Sequence, residues 1–156
     1  MTPKSPMTPE SPMTPEPSMI PEPLVRPVVV ASTWACVRDR RLLVVRPAGT
    51  DAFYVPGGKP EPGETLAETA AREVREETGV SLSADRLRPF TEITAPAYGR
   101  PGTDVRLVCF LAPSDEQPVA SAEIAEIGWF TSADAGRCAP AIRLLLGELV
   151  TAGLIE

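Results

Sequence analysis

The chain has 156 residues, a length that fits a single domain, and it contains no histidine. That absence excludes Ser-His-Asp and Cys-His nucleophile systems, an imidazole general base and a histidine-based zinc site. The formal net charge of −6 speaks against a basic face that grips a nucleic-acid backbone, so a polyphosphate substrate would have to find its positive charge elsewhere.

Of the 19 prolines, nine (Pro3, Pro6, Pro9, Pro12, Pro15, Pro17, Pro21, Pro23 and Pro27) fall in the first 27 residues. Residues 1–23 form an imperfect six-residue repeat that spaces Met1, Met7, Met13 and Met19 evenly. Proline at this density blocks helix and sheet and favours extended polyproline II. Residues 1–27 are therefore expected to be a disordered tail, and residues 28–156 the folded domain. Every methionine lies in this tail, which makes Met7, Met13 and Met19 alternative translation starts. No apolar run approaches the roughly 20 residues of a membrane span, and the N-terminus leads into no signal-peptide core. The expectation is a soluble, cytoplasmic protein with no membrane partner.

Residues 28–37 (VVVASTWACV) are rich in β-branched side chains and read as a strand, followed by the polar turn Arg38-Asp39-Arg40 and a second run over 41–45, together a hairpin. Phe53-Tyr54-Val55 reads as a short strand stopped by Pro56-Gly57-Gly58. Residues 65–78 give the clearest helix: Thr65 and Glu68 form a capping-box pattern and Gly79 stands where a glycine stop belongs. Strands follow over 88–94, 103–112 and 127–131. A closing helix over 142–154 carries Ile142, Leu145, Leu146, Leu149 and Val150 at helical spacing. Cys36, Cys109 and Cys138 form no C-x-x-C pair and are expected to be small buried hydrophobes in a reducing compartment. This order of elements predicts an α/β domain with a mixed sheet packed between helices.

The chemistry concentrates around the first helix. At 100° per residue, Glu73, Glu76 and Glu77 share an arc of roughly 100° bordering the buried face. Such like charges repel, and a hard divalent cation removes the conflict. Mg²⁺ prefers oxygen ligands and commonly bridges carboxylates to substrate phosphates, which also supplies the positive charge that the chain lacks. Gly57 and Gly58 can bring backbone carbonyls close because no side chain intervenes. A bare E-x-x-E-E on a helix is ordinarily a solvated face. Here seven fixed letters (Gly58, Glu64, Arg72, Glu73, Glu76, Glu77 and Gly79) coincide, at odds on the order of one in 10⁸ per starting point.

The segment 58–80 resembles the Nudix box, G-x5-E-x7-R-E-U-x-E-E-x-G-U with U aliphatic, at every defined position, Val74 and Val80 included. The resemblance implies a Nudix-like α/β/α sandwich with a mixed β-sheet, in which the box forms loop, helix and loop. It implies Mg²⁺, with Mn²⁺ as a substitute, held by Glu73, Glu76, Glu77 and the Gly58 carbonyl. Glu73 would also assist water activation, Arg72 would orient the glutamates, and Glu64 would support them from the loop. A glutamate outside the box often assists in this family, and Glu116, Glu123 and Glu126 are the candidates. The implied reaction is hydrolysis of a nucleoside diphosphate linked to X, first as a nucleoside triphosphate pyrophosphohydrolase that includes oxidised nucleotides among its substrates.

ADP-ribose or dinucleoside polyphosphate hydrolysis is the alternative, hinted at by Pro96 and Tyr98, 16 and 18 residues beyond Val80. A non-catalytic nucleotide-binding sensor is the reading from another class. Trp34, Phe53, Tyr54 and Trp129 are candidates for stacking on a base, although aromatic residues in strands usually serve the core. The partner expected is a small nucleotide rather than a nucleic acid. Homodimers are frequent in the family, but no segment here declares an interface.

Overall fold

Along the central strands, successive large apolar residues point to opposite sides, so each strand has two faces to cover. The computed structural model describes Pro3 and residues 25–156. The disordered tail expected over 1–27 thus lies outside the described residues, save for Pro3 and 25–27. Strand β1 (Val28–Ala35) is followed by β2 (Val37–Arg38), β3 (Arg41–Pro47) and β4 (Gly57–Gly58). Helix α1 (Leu66–Thr78) leads to β5 (Arg88–Pro96), β6 (Asp104–Leu111) and β7 (Ile124–Phe130), and α2 (Pro140–Thr151) follows.

The expected mixed sheet is four-stranded, in the order β4-β1-β6-β5. β1 runs parallel to β6, while β4 and β5 are antiparallel to their neighbours. Beside it stands a three-stranded antiparallel sheet, β2-β3-β7. Trp34, Val108 and Phe110 pack on one side with Ala70 and Val74 of α1. Their alternates Ala35, Leu107 and Cys109 pack on the other with Leu145, Leu146 and Leu149 of α2. The two helices thus close opposite faces of one sheet system, the α/β/α arrangement expected from the sequence.

Three local expectations are corrected. The run 28–37 is not one strand: it breaks at Cys36, whose carbonyl accepts from Leu43 N–H at 2.9 Å, and its two ends join different sheets. Arg38 belongs to β2, so the hairpin turn is Asp39-Arg40 alone. Both turn residues have positive φ (49° and 60°), as a two-residue turn matched to the strand twist requires. Phe53-Tyr54-Val55 makes only isolated bridges, Tyr54 to Val45 and Phe53 to Cys138, because Phe53 must turn into the core beside Phe130.

The helix signals hold. Thr65 caps α1 in a capping box with Glu68, and Gly79 ends it in the left-handed conformation at φ 74°. All three cysteines are buried. Burial pushes the Cys109 thiol up to about 12 and that of Cys138 to about 11, so they pack as protonated hydrophobes. Among the described residues no helix is long and apolar enough to cross a membrane.

Leu145 is fully buried in the α2 core. Leu145→Ala is expected to cost about 2–5 kcal/mol and Thr65→Ala about 1 kcal/mol, both read from urea unfolding midpoints.

Candidate active site

The Pro56-Gly57-Gly58 stretch lies flat against β1, with Thr33 opposite Gly57, Ser32 opposite Gly58, and Trp34 N–H donating to the Pro56 carbonyl at 3.0 Å. Gly57 has φ 154°, and a Cβ there would collide with the β1 backbone. On the other side of the strip, a Cβ on Gly58 would fall 2.6 Å from the Glu73 carboxyl carbon. Glycine at 58 is therefore what allows the Glu73 carboxylate to rest on the backbone. The buried Ser32 hydroxyl donates to the Leu66 carbonyl and fixes the start of α1 over the same strand.

Arg72 organises the acids. Its Nε and Nη2 donate to both oxygens of Glu64, at 2.7 and 2.9 Å, and Nη2 also donates to the Lys59 carbonyl at 3.1 Å. Its Nη1 donates to Glu73 at 2.9 Å and reaches Glu76 at 3.4 Å. This bidentate fork, joined by Glu61 N–H at 2.7 Å and Thr69 Oγ1 at 3.1 Å, holds the Glu64 carboxyl down at about 2. The guanidinium pKa is raised in turn, chiefly by Glu64.

Glu77 has the opposite environment. Burial, then the charge of Glu73, pushes its carboxyl up to about 8, against the pull of the Gly57 amide. Its Oε2 is buried without a hydrogen-bond partner. Burial also raises Glu73, with Arg72 opposing. Among the described residues no three acidic or thiol side chains close on a common point as they stand. Arg72 occupies Glu73 and draws on Glu76, while Glu77 is buried beside Gly57.

The profile of the NUDIX domain matches residues 26–146. The chain belongs to the Nudix family. It is 34% identical over 110 residues to an uncharacterised Nudix hydrolase of Rhodococcus erythropolis, an alignment covering 62% of this chain and 58% of that one. It is also 34% identical over 93 residues to a MutT-like protein of Streptomyces ambofaciens, covering 60% and 56%. The chain thus spans a little over half the length of these curated relatives. Among solved structures, a MutT protein from Methanosarcina mazei superposes with a TM-score of 0.68 at 20% identity, covering 84% of this chain and 99% of that one. A MutT Nudix hydrolase from Burkholderia pseudomallei gives 0.66 at 23%, covering 78% and 98%. At these identities the structures establish the Nudix fold.

Of the box residues singled out from sequence, Gly58, Glu64, Arg72 and Glu73 meet here, Gly79 caps the helix, Val74 and Val80 pack in the core, and the three helix glutamates differ: Glu76 is half exposed, Glu73 mostly covered and Glu77 buried at the oxygen that lacks a partner. Of the acids outside the box, Glu116 accepts from Ser81 N–H at 2.9 Å and Glu126 pairs with Arg46 at 3.2 Å, both away from Arg72. The charge of Glu123 bears on both Glu73 and Glu77. Its loop is docked by Val119 and Ser121 N–H groups, which donate to the Thr78 and Glu77 carbonyls at 2.9 and 3.0 Å. Arg38 holds the same loop by donating to the Ser114 and Glu116 carbonyls, with its guanidinium 5.4 Å from the Trp129 ring centroid.

Sequence reasoning passed over Arg38, Lys59 and a cavity of about 390 Å³ beside the carboxylates. Gly57, Lys59, Glu77, Pro96 and Tyr98 line it, and the Tyr98 hydroxyl donates to Asp51. Of the four aromatic residues considered for stacking, Tyr54 alone lines this cavity. Trp34 and Phe53 are core residues, and Trp129 carries Arg38.

The shifted acids make stability pH-dependent in the metal-free protein. Glu77 moves from an ordinary 4.5 when unfolded to about 8 when folded. Between those values the folded state holds the extra proton, so stability is full below 4.5 and falls as the pH rises toward 8. Glu64, shifted down to about 2, acts only below 4.5, where its contribution is lost as the pH falls. The Tm in EDTA is expected to decline from pH 5 to pH 8, and Glu77→Gln should flatten that slope. An equally steep decline in the variant would place its origin elsewhere.

Proposed function

We propose that this protein is a divalent-metal-dependent hydrolase of small nucleotides, cleaving a nucleoside diphosphate linked to a further group X. The observation that carries the reading is the unpartnered buried Oε2 of Glu77, held at the junction of the Arg72-ordered carboxylates and an open cavity. A buried carboxylate oxygen without a donor is costly, and a hard cation satisfies it. The donor set fits Mg²⁺, with Mn²⁺ as a substitute: Glu73, Glu76 and Glu77 with the Gly58 carbonyl, all oxygen, and Glu123 as the additional acid. When bound, the ion supplies Lewis-acid stabilisation of the phosphate charge and lowers the pKa of water.

The chain's own residues do the rest. Gly58 lets Glu73 lie against the strip, where the carboxylate takes the proton of the attacking water. Arg72 fixes Glu73 from one side and is itself fixed by Glu64, so the acid is positioned before substrate arrives. Lys59 offers a cation beside the cavity to a substrate phosphate. Water then attacks phosphorus in line with the leaving phosphate. Within this reaction we favour nucleoside triphosphates, oxidised ones included. Dinucleoside polyphosphates or ADP-ribose remain the second reading on one observation: Pro96 and Tyr98 both line the cavity.

A screen of Mg²⁺-dependent phosphate or pyrophosphate release over nucleoside triphosphates, ADP-ribose, dinucleoside polyphosphates and nucleotide sugars tests the reading. Activity should vanish in EDTA. Glu73→Gln should abolish turnover with the Tm retained, and Glu123→Gln should lower kcat about 10²–10⁴-fold. Glu116→Gln and Glu126→Gln should stay within a few-fold of wild type. No release from any class would return the chain to a nucleotide-binding sensor.

A further inference from the structure

The cavity beside Glu77 has an uneven chemistry. Its charged groups, Glu77, Lys59 and Arg100, and its tyrosines, Tyr54 and Tyr98, are accompanied by walls that are almost wholly aliphatic. Ala31, Val105 and Leu107 line it from the sheet, Val45 from β3, and Ala141 and Ile142 from α2.

A purine or pyrimidine edge is read by donors and acceptors; the aliphatic walls supply none, and the cations of the lining, Lys59 and Arg100, belong to exposed residues. Val105 and Leu107 belong to β6, whose backbone is paired with β1 on one edge and β5 on the other. Val45 exchanges both backbone hydrogen bonds with Tyr54, at 2.7 and 2.8 Å. The Thr33 hydroxyl donates to the Val108 carbonyl at 3.1 Å, and Thr50 Oγ1 accepts from Ala52 N–H at 3.2 Å. The Ala139 N–H donates to the Phe53 carbonyl.

A site built to hydrogen-bond a ring rejects analogues lacking the right group by 10⁴–10⁵, whereas an apolar site separates them by only about 10–200-fold. Groups placed against such walls are ranked by what they lose on leaving water.

We propose that this cavity holds the ring of the nucleotide by shape and apolar contact, without reading its edge, so that the protein accepts several bases and favours those that desolvate most cheaply. The proposal rests on the nucleotide-hydrolase reading above and names the substrate feature that reading leaves open. Thymine, with its methyl group, should stand above uracil by about fourfold in kcat/KM, the contribution of one buried methylene-sized group. Cytosine and guanine, with an amino group beside a carbonyl or ring nitrogen, should stand lower.

The test is kcat/KM of the full chain with Mg²⁺ for dTTP, dUTP, dCTP, dATP and dGTP, expected to span no more than about 200-fold with dTTP above dUTP. Val105→Thr, a near-isosteric change that adds a hydroxyl to the wall, should narrow the gap between dTTP and dCTP. A preference above 10³ for any one base, or dUTP at or above dTTP, overturns the proposal. Titration with dTMP, which has no anhydride bond to cleave, separates the two readings. The Leu107 and Ile142 methyl resonances should shift and saturate. Hydrolysis with those methyls unmoved overturns the cavity assignment and spares the reaction. Saturating shifts with no release from any nucleotide in the wider panel sustain the cavity and overturn the reaction.

Discussion

The site depends on one guanidinium. Arg72 forks onto Glu64 with two short charge-assisted bonds, touches Glu73 with a third and reaches the Lys59 carbonyl with another. Those partners lie on the loop before α1 and on the helix itself, so a single planar cation sets the distance between them. A lysine has the charge but not the fork, and could not hold both oxygens of Glu64 while reaching Glu73. With Glu64 kept ionised and Arg72 kept charged, the acids on α1 have a fixed counterion on one side, and Glu77, out of its reach, is the one left in an unfavourable state.

The second constraint is the thinness of the strip that carries the box glycine. Gly57 and Gly58 are pressed between β1 and Glu73, and neither side has room for a Cβ. The backbone is therefore the spacer between sheet and helix. Ser32 adds the other tie, bonding the first turn of α1 to the same strand. Burial of Trp34 beneath the helix, with its indole N–H on the Ala112 carbonyl at 2.9 Å, gives this face an apolar floor without an orphaned donor.

How much of this was legible in the sequence depended on range. Thr65, Glu68 and Gly79 act within one or two turns, so the boundaries of α1 could be read directly, and so could the arc of the glutamates. The α/β/α order followed from alternating elements, and the box letters identified the family. The division of residues 28–37 was not legible, because both halves use the same β-branched residues. The break at Cys36 comes from which sheet claims each half. What distinguishes Glu116, Glu123 and Glu126 was equally hidden. All three are exposed acids in irregular or edge sequence, and what separates them is partners distant in the chain: the Ser81 amide holds Glu116 and Arg46 holds Glu126. The cavity was hidden too, since its walls are drawn from strands and a helix distant in the chain, each residue reading only as core.

The docking of that loop has a dynamic consequence. The last carbonyls of an isolated helix are free to fray, but those of Glu77 and Thr78 are bonded to Ser121 and Val119. The opening of the final turn of α1 and of the segment carrying Glu123 is therefore coupled: releasing one uncaps the other. Undocking the loop frees the turn that carries the buried carboxylate, so the free energy of undocking bears on how often the carboxylates are out of register with one another.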